Sequence, residues 1–152
     1  MTESRDTHLT VYEGEDWSLK ARLTDEDGSN LTQAAVDSFD VHVYLTENGT
    51  PLTEVYTELA ISESDWDQTA LTNHVTIVDT LSTVGWSKDS TGWNMHFLLT
   101  FAELETGGTA SAFSAQGEQT YLTELHFNRT AASSKGPVIV RIWVKVKSIR
   151  SI

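Results

Sequence analysis

The chain has 152 residues, no cysteine and a formal charge of -12. That length suits one domain with a real hydrophobic core, and the lack of cysteine excludes disulfides and thiolate metal sites. The acidic balance argues against nucleic-acid binding by the body of the domain, and no apolar run is long enough for a membrane-spanning helix.

The opening, MTESRDTHLTVYEGEDW, has neither the basic nor the apolar region of a signal peptide. Synthesis in a cytoplasm is therefore expected. Residues 1–6 are expected to form a flexible tail, and residues 7–152 a single domain. Thr7–Tyr12 predicts a first strand, ended by Gly14. Trp17–Thr24 alternates strictly, with Trp17, Leu19, Ala21 and Leu23 on the inner phase. Asp25-Glu26-Asp27-Gly28 follows as a tight turn. Ser38–Thr46 alternates again, with Phe39, Val41, Val43 and Leu45 inward, and Glu47-Asn48-Gly49-Thr50 is a hairpin turn. Pro51 opens a returning strand to about Leu59, at an edge or a strand start. Ser62–Ala70 has the spacing of one capped helical turn. His74–Leu81 predicts a strand, Gly85–Gly92 a loop, and Trp93–Phe101 a core strand with Trp93, Met95, Phe97, Leu99 and Phe101 in phase. Thr100–Glu103 fits a capping box and a second short helical turn.

The last third carries the clearest pattern. Gln119–Phe127 and Val138–Lys147 read as a strand pair joined by a polar connector. Val138, Val140, Ile142, Val144 and Val146 occupy alternate positions, so they share one face of a strand. Ile139, Arg141, Trp143, Lys145 and Lys147 share the other. About eight short strands with turn signals between them predict an all-β sandwich or barrel.

All 22 acids and four of the ten bases lie in residues 1–128, while residues 129–152 hold the other six bases and no acid. A basic terminal strand can meet an acidic partner, including another copy of the chain. It can equally be a soluble edge strand. Trp143, set among Ile139, Arg141, Lys145, Lys147 and Arg150, fits a protein interface stripe, since an exposed aromatic flanked by polar groups can anchor an interface. A tryptophan covered by a neighbouring loop is the competing reading. Loop residues Trp66 and Trp86 are candidates for stacking on a sugar ring.

Catalytic and metal chemistry finds little footing. His42, His96 and His126 fall on outward strand phases, but no ligand spacing marks a metal site. Asp25–Asn30 lacks the calcium-loop spacing. The acid pairs Asp65 and Asp67, and Glu103 and Glu105, sit in polar segments where ionised carboxylates are ordinary. No Gly-x-Ser-x-Gly elbow and no phosphate-cradling glycine loop occurs. The expectation is a protein without enzymatic activity, metal or cofactor.

Glu13–Thr32, EGEDWSLKARLTDEDGSNLT, resembles the opening of immunoglobulin-like domains in phage tail and baseplate proteins, especially the N-terminal domain of the baseplate upper protein family. The shared pattern is a short acidic start, a strand, an Asp-x-Asp-Gly turn and then Leu-Thr. Gly117–Lys147 is similar to the family's final hairpin, with a tyrosine soon after the glycine, a polar turn and a valine-rich strand. The chain departs from the family in its longer middle, Leu52–Trp93, and in lacking a long extension after the domain. The resemblance implies an immunoglobulin-like antiparallel β-sandwich and a structural role in a phage particle. A head decoration fits as well as a tail, baseplate or neck accessory subunit, held by contacts with virion proteins or with its own copies as a homo-oligomer. A carbohydrate-binding or host-recognition module is the alternative.

Overall fold

A computed structural model describes residues 3–12, 14–24, 28–47, 50–62, 75–102, 104, 119–129 and 136–147. Several expected features lie outside the described residues: the centres of the Asp25–Asp27 and Asn48-Gly49 turns, the helical turn after Ser62, Trp66, His74, Glu103, Glu105 and Arg150.

The strands in chain order are β1 (Glu3–Tyr12), β2 (Trp17–Ala21), β3 (Val36–Glu47), β4 (Thr50–Ser62), β5 (Val75–Ser82), β6 (Trp93–Leu99), β7 (Gln119–Arg129) and β8 (Val138–Lys147). They build a five-stranded sheet, β1-β8-β7-β3-β4, and a three-stranded sheet, β2-β6-β5. The two sheets form a sandwich, as the sequence predicts. Helical structure is slight. A 3-10 turn covers Gln33–Ala35, and after β6 the Leu104 amide donates to the Thr100 carbonyl at 3.1 Å.

The β3–β4 and β7–β8 hairpins pair antiparallel. The first strand departs from expectation twice. It begins at Glu3 rather than at Thr7, so residues 3–6 belong to the sheet. It also runs parallel to β8, in unbroken register from Glu3↔Val138 to Tyr12↔Lys147. Antiparallel pairing follows from a tight hairpin, whereas a parallel pair needs a long crossover. The whole intervening chain supplies that crossover here.

Alternation decides which side chains enter the core. Val138, Val140, Ile142 and Val144 are buried, as are Phe39, Val41 and Val43 on β3 and Tyr121, Leu125 and Phe127 on β7. From the smaller sheet come Trp17, Val75, Ile77, Met95, Phe97 and Leu99. Trp17 meets Tyr121 across the sandwich with ring centroids 5.4 Å apart. Each fully buried aliphatic or aromatic side chain of this kind contributes about 1.5–3 kcal/mol relative to exposure.

Among the described residues, three buried side chains are polar: Thr76, Asn94 and Thr123. Asn94 is 1% exposed. Its Oδ1 accepts from the Leu23 amide at 2.6 Å, and its Nδ2 donates to the carbonyls of Leu23 and Leu31 at 2.9 and 3.1 Å. One side chain thereby satisfies three backbone groups of the segment that follows β2, which buried backbone requires. Thr123 lies on the inner face of β7, and its buried hydroxyl has no hydrogen-bond partner.

Candidate functional site

The outer face of the five-stranded sheet can be read row by row from its register. Ile139 is flanked by Ser4 and His126, Arg141 by Asp6 and Glu124, Trp143 by His8 and Leu122, and Lys145 by Thr10 and Thr120. Lys147 pairs with Tyr12, which is 51% exposed and was not singled out in the sequence. Ile139, Arg141, Trp143, Lys145 and Lys147 therefore share one row of β8, with the edge strand β1 on one side.

Its residues differ in how far they are engaged. Arg141 Nε donates to Glu124 Oε2 at 2.9 Å, and Glu124 also meets His126 Nε2 at 3.1 Å. Burial by itself would raise the Glu124 pKa, but the hydrogen bonds from Arg141 and His126 outweigh it and the net shift is downward. Much of the Arg141 charge is therefore answered inside the sheet. Trp143 is partly buried, in a shallow cleft of about 240 Å³ lined also by His8, Leu9, Thr10, Thr120 and Lys145. Leu122, between Trp143 and Tyr44 in register, is only 3% exposed although it lies on the outward phase. Among the described residues, the cleft around Trp143 is lined by its strand neighbours from β1, β7 and β8. Lys145 and Lys147 are exposed.

The three outward histidines do not converge. His42 and His126 sit on the five-stranded sheet with ring centroids 5.0 Å apart. His96 belongs to the other sheet, where its Nε2 shares a 2.9 Å hydrogen bond with Ser18 Oγ. Burial, with the charge of Lys20 as a second cause, holds the His96 pKa below the ordinary histidine value. Among the described residues no group of three potential ligands is placed to hold a metal ion.

Trp86 stands in a second, separate setting. Its loop, residues 83–92, is organised by Asp89. The Asp89 carboxylate accepts from Trp86 Nε1 at 3.1 Å, from the Thr91 amide at 2.9 Å and from the Thr91 hydroxyl at 2.5 Å. Arg22 Nη2 reaches both carboxylate oxygens at 2.6 Å. Hydrogen bonds from Thr91, Trp86 and Arg22 hold this carboxyl well below the usual carboxylate range. Gly92 closes the loop with φ +104, where a Cβ would come within 2.5 Å of the Ser82 carbonyl oxygen, so only glycine lets the two segments meet.

Cations gather around the same indole. Lys88 Nζ lies 5.0 Å from the Trp86 ring centroid and the Arg22 guanidinium carbon 5.9 Å. Lys20 Nζ lies 5.3 Å from the Trp93 centroid and donates to the Val84 carbonyl at 3.3 Å. Trp93 is buried, as expected, but outside the contiguous core. It packs under this loop, with its indole N–H donating to the Val84 carbonyl at 2.8 Å. No sequence signal marks the convergence of Lys20, Arg22 and Lys88, because they come from β2, from the residue just after it, and from a loop more than sixty residues later. No family model and no curated protein matches the chain.

Proposed function

We propose that this domain is a non-enzymatic structural protein of a bacteriophage particle, an immunoglobulin-like sandwich that acts by binding its neighbours. It would serve as a head decoration or as a tail, baseplate or neck accessory subunit, in contact with other virion proteins or with copies of itself. The virion setting is supported by the resemblance of Glu13–Thr32 and Gly117–Lys147 to phage immunoglobulin-like domains. The binding mode is supported by one observation above the rest: Trp143 lies partly buried in a shallow cleft beside the edge strand β1.

An aromatic so placed has its orientation fixed by the strand yet keeps surface for a partner. Completing its burial supplies affinity, and the polar rim supplies register. Lys145 and Lys147 are exposed on this row, and Arg141 is paired with Glu124. An acidic partner, which includes the acidic body of another copy, complements them. Tyr12, next to Lys147, extends the apolar part of the row.

The test is particle occupancy of Trp143→Ala, expressed during infection and counted by quantitative mass spectrometry of purified particles. The variant is expected to fold and to be lost from particles. Normal occupancy of a folded Trp143→Ala protein would overturn the assignment of this face.

A further inference from the structure

Three of the four bases in residues 1–128, Lys20, Arg22 and Lys88, surround Trp86. In a chain of charge -12 such a cluster runs against the overall field. The three are not equivalent. Arg22 is committed to Asp89 and to the Gly92 carbonyl, which its Nε reaches at 3.0 Å. Lys20 and Lys88 have no carboxylate partner among the described residues; their contacts are with a backbone carbonyl and with indole rings. Both line one cleft of about 300 Å³, together with Ser18, Leu19, Gly85, Trp86 and Ser87.

We propose that this cleft binds an acidic sugar residue of a glycan, with its carboxylate held by Lys20 and Lys88 and its ring against the Trp86 side of the cleft. Volume and chemistry select this ligand. About 300 Å³ is the lower end of ligand-pocket size and holds a single ring-sized unit. The walls offer two ammonium groups, two serine side chains and an aromatic surface, which together match a carboxylate, hydroxyls and the apolar face of a pyranose. Fixed architecture supports the site: Asp89 ties the Trp86 indole N–H and the loop backbone in place before any ligand arrives, which reduces the ordering cost of binding.

The overall charge limits the ligand further. The surrounding acidic surface repels a long polyanion within a Debye length of about 8 Å. An isolated acidic unit in an otherwise neutral oligosaccharide escapes that penalty. The site lies on β2 and the 83–92 loop, and none of its lining residues belongs to the β8 row.

The experiment is a titration of the intact protein followed by NMR of the indole N–H and lysine side-chain signals. The probes are a glucuronate-terminated oligosaccharide, its neutral glucose-terminated counterpart, a glutamate-rich peptide and inorganic phosphate. The acidic oligosaccharide is expected to shift the Trp86 indole signal saturably, while the neutral one does not. Lys20→Gln and Lys88→Gln are each expected to weaken binding by about tenfold, the loss of one hydrogen bond to a charged group, with the fold verified by circular dichroism. No saturable shift with the acidic oligosaccharide would overturn the proposal. So would equal binding of the neutral counterpart, unchanged affinity in both lysine variants, or saturation by phosphate alone, which marks an adventitious ion only. Saturation by the peptide without the sugar would reassign the cleft to an acidic protein. None of these outcomes depends on Trp143, whose particle assay stands or falls separately.

Discussion

Trp143 and Trp86 are both partly buried tryptophans with cations nearby, in a chain dominated by acids. They are held in different ways. Trp143 takes its direction from strand alternation alone: its neighbours in the row are fixed by the register of β1, β8 and β7. Trp86 has no strand to orient it. Its position depends on the Asp89 carboxylate, on Arg22 just after β2 and on a glycine that lets two segments touch. Periodic backbone hydrogen bonds make the first surface hard to disturb by any single side-chain change. Individual side-chain hydrogen bonds make the second surface vulnerable at particular residues.

The largest expected effect separates the two regions at Asn94. Replacing it with alanine takes the hydrogen-bond partner from the buried Leu23 amide and Leu31 carbonyl, while the Leu23 carbonyl keeps the Leu31 amide, at a cost of ~2 kcal/mol or more. Urea denaturation of Asn94→Ala should show that loss, and hydrogen exchange should place it first on β2 and the adjoining Trp86 side. Equal loss of protection in β8 would mean that the two regions are not separable. Thr123 offers the opposite change beneath the Trp143 sheet. Thr123→Val removes a buried hydroxyl that has no partner and keeps the side-chain shape, so it should raise stability by about 1 kcal/mol. An unchanged or lowered denaturation midpoint would show that the hydroxyl is satisfied.

Acidification should reach the regions in sequence. His96, on the Trp86 side, has its pKa lowered by burial and by Lys20. Between that lowered value and the ordinary 6.5, the unfolded chain takes up a proton that the folded one refuses. The stability it affects is therefore full above about pH 6.5 and falls as pH drops through that range. Glu124, beside Arg141, also has a lowered pKa despite its burial. The folded state prefers the carboxylate, so its contribution is present above about pH 4.5 and is lost only below it. Denaturation across pH should show an upper step absent in His96→Gln and a lower step absent in Glu124→Gln. A profile unchanged by either substitution would break the assignment. The smallest effect on stability is expected at Asp89, which is exposed. Asp89→Ala should leave the denaturation midpoint close to that of the parent but broaden the Trp86 indole signal, with the Trp143 signal unmoved.

The same contrast explains what could be read from sequence. The valine alternation of Val138–Val146 fixes both the core face of β8 and the outward direction of Trp143, because that information is local. Phe39, Val41 and Val43 were legible for the same reason. Asn94 was not, because its position between Trp93 and Met95 looks outward-facing, and its burial depends on the backbone at Leu23 and Leu31. Asp89 sits among serines, a threonine and a glycine and looks like any solvated loop acid; its role appears only once Arg22 is beside it. The start of β1 at Glu3 was hidden too, because its partner lies at the far end of the sequence and no hairpin links them.

The five-stranded sheet has two unlike rims. The β3–β4 pairing is interrupted by three register shifts, and bulges of that kind buckle an edge and discourage added strands. The β1–β8 pairing runs through ten residues without a break, so the outward side of β1 is straight. A second molecule can lie flush against only one of these rims. Two copies meeting there would face each other across a twofold axis and use both straight edges at once, so pairing through β1 would close at two copies.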